Sequence, residues 1–274
     1  MNSTGDSDNL LVYARSALLD ALNAIGAHAD SVVIVGAQAI YLHTGAILVA
    51  VAETTKDSDI AIDVRTLGED PLIEEAMKDA GFQKDSQPGS WLSPRGIPVD
   101  LMVPESLAGA GRRGVEAPPH GRHALRRAVG LEAAMVDNAV LTIRSLSDGD
   151  PREVQVRVAG PAALLVAKLH KLGERNDTSP TRLNDKDAYD VYRLLVAVKS
   201  DVLAEVITGL LRDDFAREVT ETALNYLKAL FETPESVGSV MAGRAEQGVG
   251  FPEVVSQTCS ILTEDLLSRV KGLS

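Results

Sequence analysis

In Thr54-Thr55-Lys56-Asp57-Ser58-Asp59-Ile60-Ala61-Ile62-Asp63 the acidic and apolar side chains alternate. A period of two is the mark of a strand, so Asp57, Asp59 and Asp63 share one face, and Ser58, Ile60 and Ile62 share the other, inward one. Two carboxylates two residues apart at a strand entry converge on a point just above it. Their repulsion is unfavourable unless a cation or a donor lies between them. A divalent ion with octahedral oxygen demand, Mg2+ or Mn2+, suits such a place and is shared with substrate phosphates. Taken alone, Asp-x-Asp reads more simply as a wet strand entry.

Working outward, Ser31–Val35 is a β-branched run stopped by Gly36, which predicts a buried strand. Ala37–His43 follows at helical spacing, with Gly45 as its stop. The backbone N–H groups of such a helix start, Gly36 and Ala37, can hold a triphosphate, although a tight strand-to-helix turn is the commoner meaning. Leu10–Ile25 predicts an amphipathic helix, and Asp70–Ala80 a short one ending at Gly81. Ile97–Val103 alternates like Asp59–Val64, so both are expected to be strands with one polar face. Asp100 is a carboxylate within that apolar strand and needs a partner, since burying it alone is costly. If the two strands are neighbours, Asp57, Asp59 and Asp100 meet as metal-assisted phosphoryl chemistry requires. The simpler alternative for Asp100 is an ion pair with an arginine such as Arg95.

Leu107–Val129 is rich in Gly and Pro and carries Arg112, Arg113, Arg122, Arg126 and Arg127. It predicts a surface loop running into a short helix. Its arginines, with His120 and His123, are the natural contacts for an RNA backbone, and a mobile solvated loop is an equally good reading. Val140–Ile143 and Val154–Val158 predict strands around an Asp148-Gly149 turn. From Gly160 the texture is helical. Pro161 suits a first helical turn, and Ala162–Leu172, Asn184–Val198, Val202–Leu211, Phe215–Phe231, Pro252–Leu262 and Glu264–Val270 follow with helical spacing. Trp91 and Cys259 are expected in the core.

The chain has 274 residues, which at ~150 residues per domain suggests two. The α/β part is expected over 1–159, with a mixed sheet, and the helical part over 160–274. Hydrophobic residues at 45% and charged residues at 24% exclude a disordered or fibrous chain. Lys+Arg 27 against Asp+Glu 39 leaves a net charge of −12, which argues against coating nucleic acid, DNA included, or an anionic membrane with the whole surface, and leaves room for a local basic patch. Aromatics at 4% exclude a base-stacking platform, and one cysteine excludes a disulfide framework or a cysteine-ligated zinc site. Ser31–Ala52 is uncharged, yet its Gln, His, Thr and Gly residues fit a strand, turn and buried helix better than a membrane span. With no basic-then-apolar leader either, a soluble, cytoplasmic protein is expected.

The order strand-Gly-helix, Asp-x-Asp, lone strand Asp resembles the nucleotidyltransferase superfamily of DNA polymerase β-like fold. Where that family has Gly-Gly or Gly-Ser, this chain has Gly36-Ala37, which removes a hydroxyl contact to phosphate and leaves the backbone role. Leu164-Leu-Val-Ala-Lys-Leu-His-Lys-Leu-Gly-Glu-Arg175 and Asn184-Asp-Lys-Asp-Ala-Tyr-Asp-Val-Tyr192 narrow the resemblance to the AbiEii/AbiGii toxin family, which includes the MenT toxins. Lys168 and Arg175 match its first helical motif, and Lys186, Asp187 and Asp190 its second. The resemblance spans Val32–Leu195. It implies an Mg-dependent transfer of a nucleoside monophosphate from an NTP to a tRNA 3′ end, blocking translation, in a toxin held by a cognate antitoxin. Asp57, Asp59 and Asp100 would hold the metal. Thr55, Lys168, Lys171 and Arg175 would serve the nucleotide, Asp187 or Asp190 would orient it, and the helical part would complete the cleft. The spacing agrees in part: Lys168 and Lys171 share a helix face, as do Asp187 and Asp190. Asn184 with Asp187 is also a capping pattern, and Lys168 can equally snorkel from a packing helix. Two other readings stay open. One is an enzyme of the same fold acting on an aminoglycoside-like molecule or a protein side chain. The other is a non-catalytic nucleotide-binding module.

Overall fold

The structure, a computed structural model, describes residues 4–45, 49–50 and 55–273; Thr54 and residues 46–48 and 51–52 of the uncharged stretch lie outside them. It forms two compact units, Met1–Ala39 with Glu53–Ala159, and Ile40–Ala52 with Gly160–Ser274. Among the described residues no helix is long and apolar enough to cross a membrane.

The first unit is built on a mixed sheet. Its strands are β1 (Val32–Val35), β2 (Ser58–Ile62), β3 (Gln83–Lys84), β4 (Ser90–Leu92), β5 (Pro98–Pro104), β6 (Arg126–Ala128), β7 (Asn138–Arg144) and β8 (Glu153–Ala159). They lie in the order β3-β4-β5-β2-β1-β8-β7, with β6 joined to β5. Strand β2 runs antiparallel to β1 and parallel to β5. Helix α1 (Thr4–Ala24) packs on β2, β5 and β8, and α3 (Ile73–Asp79) packs on α1. Ala14, Ala17, Leu18, Ala21 and Leu22 recur at helical spacing and are all buried, which is why α1 sits on the sheet. Helix α4 (Glu132–Val136) covers β1 and β8.

Central placement corrects one expectation. Ile60, Ala61 and Ile62 are all fully buried, so β2 has no polar face beyond its first residues. A strand covered on both sides carries a continuous apolar run instead of an alternation. Asp63 lies past the strand, where its carboxylate accepts from the Arg65 guanidinium at 2.7 and 2.9 Å; that hydrogen bond holds its pKa below the ordinary carboxylate value.

The Leu107–Val129 stretch is the expected loop, but the short helix expected at its end is a strand. It ends in β6, and the fully buried Trp91 donates from Nε1 to the Ala124 carbonyl at 3.1 Å. Strands β4 and β6 share one edge of β5, with β4 on Trp91↔Val99 and β6 on Met102↔Arg126. Gly89 sits where one strand gives way to the other. A Cβ there would stand 2.5 Å from both the Arg126 nitrogen and the Leu101 oxygen, so only glycine fits.

The second unit is helical: α5 (Pro161–Thr178), α6 (Asp185–Ala197), α7 (Ser200–Arg212), α8 (Arg217–Phe231), α9 (Val237–Ala245) and α10 (Pro252–Leu273). Pro161 starts α5 behind an extended Gly160, and the Asn184 side chain caps α6 by accepting from the Lys186 N–H at 3.0 Å. The two helices expected beyond Pro252 are one. Helix α9 follows Pro234, and its Gly238 and Gly243 obscure the apolar period. Helix α2 (Gly36–Thr44) carries the chain from one unit into the other.

Candidate active site

Strand register decides what meets in the first unit. Asp59 on β2 is paired with Val35 on β1 and with Asp100 on β5. Cross-strand partners point to the same side of a sheet, ~4.8 Å apart in the hydrogen-bonding direction. The two carboxylates are therefore neighbours, as the sequence predicts, and like charges so placed repel unless something positive lies against them. The positive group is Arg126, whose guanidinium donates to Asp100 Oδ2 at 2.7 Å. Arg95, the partner proposed from sequence, instead lies 5.4 Å from the Tyr13 ring centroid.

Gly36 completes the arrangement. Its φ of +70° is left-handed, and a Cβ there would stand 2.1 Å from Asp59 Oδ2. The Asp59 carboxylate thus fills the space a side chain would need, at the N-terminal end of α2, where a negative charge is favoured. Asp57 is exposed just before β2, and Thr55, itself buried, donates to its Oδ1 at 2.7 Å. Thr55, expected to serve the nucleotide, orients a carboxylate here.

Behind the acidic strand runs a buried polar chain. Arg15 Nε donates to Gln38 Oε1 at 2.7 Å, Gln38 Nε2 to Ser58 Oγ at 2.6 Å, and Ser58 Oγ to the Ala14 carbonyl at 2.9 Å. It locks α1, the start of α2 and β2 together, so Ser58, the residue between Asp57 and Asp59, is fixed. Ser58 faces inward, as alternation requires. Gln38 and Arg15 escaped the sequence reading, although a polar residue within an apolar helical run is the signal that points to them.

Three carboxylates were expected to converge. Among the described residues no three His, Cys, Asp or Glu side chains are grouped to hold a metal, and Asp100 is engaged by Arg126. The donor chemistry still fits Mg2+ or Mn2+: Asp57 is open to solvent, Asp59 half-buried, both are hard oxygen ligands two residues apart, and Mg2+ commonly takes one or two carboxylates plus water and phosphate.

In the helical unit, Lys168 on α5 lies 2.8 Å from Asp187 and 2.7 Å from Asp190 on α6. Lys171 and Arg175 reach Asp187 at 2.9 and 3.0 Å, and Lys186 reaches Asp190 at 3.5 Å. All the residues matched to the two helical motifs are therefore in one network, four cations around two carboxylates. Burial opposes the Lys168 charge, but Asp190 and Asp187 outweigh it and hold its pKa well above the ordinary lysine value. Burial likewise opposes the Asp187 charge, and Lys168 and Lys171 overcome it, holding that carboxyl well below its usual range.

The five arginines of the Leu107–Val129 stretch divide in two. Arg112, Arg113 and Arg122 line a cavity of about 700 Å³ together with His123 and Pro88. Arg126 is held by Asp100, and Arg127 by Glu105 at 3.5 Å. His120, grouped with them from sequence, is buried: its Nδ1 faces the Ile73 N–H at 3.2 Å and its Nε2 the Gly68 carbonyl at 2.8 Å. It is a structural pin of the loop.

No family model and no curated protein matches this sequence. Solved structures with a related arrangement include an antigenic nucleotidyltransferase-like protein from Paracoccidioides brasiliensis, at 18% identity and TM-score 0.39 over 80% of this chain and 94% of that one. The antibiotic-resistance factor ANT(2'')-Ia is similar at 13% identity and TM-score 0.41, over 78% of this chain and 96% of that one. A putative nucleotidyltransferase from H. pylori is similar at 12% identity and TM-score 0.34, over 100% of this chain and 99% of that one. At such distances the chemistry has to be argued from this chain's own residues.

Proposed function

We propose that this protein is a nucleotidyltransferase that moves a nucleoside monophosphate from an NTP to an acceptor hydroxyl, with a tRNA 3′ end as the acceptor. The observation that carries the reading is the register of Asp59 with Asp100 beside the Gly36 turn, with Asp57 two residues away. In the reaction the acceptor oxygen bonds to the α-phosphorus, and the bond from that phosphorus to the bridging oxygen breaks. Pyrophosphate leaves with the electron pair. Asp57 and Asp59 would hold Mg2+ or Mn2+, which supplies charge neutralisation for the phosphates when bound. Asp100 would complete that shell or take the hydroxyl proton. In the helical unit, Lys168, Lys171 and Arg175 would hold phosphate, with Asp187 or Asp190 orienting them; four cations around two carboxylates leave positive charge to spare.

The resemblance to AbiEii/AbiGii toxins supports the finer reading: a cytoplasmic toxin whose modification of tRNA stops translation and which a cognate antitoxin restrains. The basic cavity favours an anionic acceptor over a cationic aminoglycoside. The test is to incubate the chain with Mg2+, each labelled NTP in turn and total bacterial tRNA, beside Asp59→Ala. Label on tRNA from one NTP, absent with the variant, is expected. Label that persists in Asp59→Ala, or none from any NTP, overturns the reading.

A further inference from the structure

We propose that the cavity lined by Arg112, Arg113, Arg122 and His123 is a built phosphate site, and that its phosphate belongs to the phosphodiester backbone of an RNA strand. The lining carries three guanidiniums and no carboxylate. What opposes their charge is weak. Arg113 donates to the neutral Gln87 amide at 3.0 Å, and Arg122 stands 3.7 Å from Glu116, with both of those side chains more than half exposed. An exposed pair at that distance is largely screened by water. In a chain of net charge −12, positive charge is thus concentrated where the walls are concave, which is where a field is focused.

The backbone that carries these donors is also held in place. The Arg113 carbonyl accepts from Arg127 N–H at 3.0 Å, the His123 carbonyl accepts from Gly89 N–H at 3.0 Å, and Val115 N–H donates to Leu125 at 3.3 Å. Gly114 bridges to Arg126. The loop backbone is thus bonded to β6 and to Gly89, and it carries the exposed arginine side chains along that edge of the sheet. A backbone ordered before binding lowers the cost of placing these side chains on a ligand. A cavity of about 700 Å³ exceeds what one phosphate fills and suits a nucleotide unit. Its location supports the same ligand. Pro88 and Gly89 lead into Ser90, which is in register with Asp100, and Arg113 and Gly114 bond to the strand that carries Arg126. A backbone phosphate held here lies along the strand neighbours of Asp100. The role as acceptor site rests on the transferase reading; the binding itself does not.

The experiment uses the full chain in EDTA, without NTP, and two probes: a fluorescein-labelled 12-nucleotide single-stranded RNA and inorganic pyrophosphate. Arg112→Gln/Arg113→Gln/Arg122→Gln is compared with Arg144→Gln/Arg217→Gln/Arg269→Gln, which changes net charge equally at exposed positions elsewhere. Thermal unfolding checks that both triples are folded. At a counterion slope of about 0.7 per single-strand phosphate, three lost contacts lower the slope of log affinity against log salt by about 2, or on the order of 100-fold in affinity at 0.1 M salt. That loss, confined to the cavity triple, is expected for the RNA. If only pyrophosphate binding falls, the site takes phosphate but its source is a free nucleotide or pyrophosphate, and the RNA assignment is overturned. Equal losses in both triples, or binding of neither probe, overturn the site. RNA binding that is lost with the cavity triple while no NTP labels tRNA would remove the transferase reading and leave the site standing.

Discussion

Gly36→Ala should unfold the α/β unit more readily, and by an amount that depends on Asp59. The left-handed φ of +70° alone costs a side chain roughly 1–2 kcal/mol. The new methyl group would also stand 2.1 Å from Asp59 Oδ2 and 2.8 Å from its Cβ and Cγ. Asp59 cannot retreat easily, because β2 is hydrogen-bonded on both edges, to β1 and to β5. Either the carboxylate rotates away or the turn opens. Together the two effects amount to roughly 3 kcal/mol, at the upper end of ordinary single substitutions. In an Asp59→Gly background the clash disappears and only the backbone penalty remains, so the cycle should return a coupling of about 1–2 kcal/mol, typical of residues in direct contact. Urea unfolding followed by Trp91 fluorescence measures this cleanly. Trp91 is the chain's one tryptophan, fully buried on β4, and lies in the α/β unit, so its fluorescence reports that unit. Equal costs of Gly36→Ala in the two backgrounds would refute the argument that the Asp59 carboxylate occupies the glycine's empty side.

Three further outcomes follow from the charges. Replacing Arg126 by Gln removes the group that neutralises Asp100, so Mn2+ affinity measured by electron paramagnetic resonance should rise about fivefold, the size of a partly exposed ion pair of ~1 kcal/mol; unchanged or weaker affinity would sink the idea that arginine and cation compete. Lys168→Met leaves buried carboxylates short of a cation and should destabilise the helical unit by roughly 3–5 kcal/mol at pH 7. Asp187 has a depressed pKa, so the stability it supplies is present above its unfolded value of ~3.9 and is lost as pH falls through the lower folded value. The difference between wild type and Lys168→Met, read by circular dichroism, should therefore shrink in acid below about pH 4; a pH-independent difference would count against it. Burial pushes the Cys259 thiol up to about 12, so a disulfide reagent should leave the native chain unlabelled at pH 8 and react on unfolding; rapid native labelling contradicts the buried placement.

The strands and helices were legible where local chemistry sets them. Val32–Val35 is β-branched and stops at a glycine, Pro161 opens a helix, and Asn184 caps one, each from neighbouring residues alone. Strands β3 and β4 were not legible, because two or three residues carry no period and Gln83-Lys84 is exposed. The pairing that shapes the candidate site was half legible. The sequence places Asp59 and Asp100 each on a strand and lets them meet if those strands adjoin; the adjacency and the register come from the pairing of β2 with β5.

What could not be read is which cation answers them. Arg95 is near Asp100 in the chain and Arg126 is distant from it, so the sequence points to the wrong arginine. The choice is made by sheet topology: β4 covers only the first residues of β5, β6 takes over the same edge, and the gap between them falls beside Asp100. Gly89 permits that junction, since any side chain there would strike the Arg126 backbone. The same junction sorts the loop's arginines. Those on β6 are spent on carboxylates, while Arg112, Arg113 and Arg122 precede the strand and are left facing a cavity. A basic run that reads from sequence as one undivided patch is thus two devices, one neutralising the acidic strand ends and one open to an external anion. They are separated by where a three-residue strand begins.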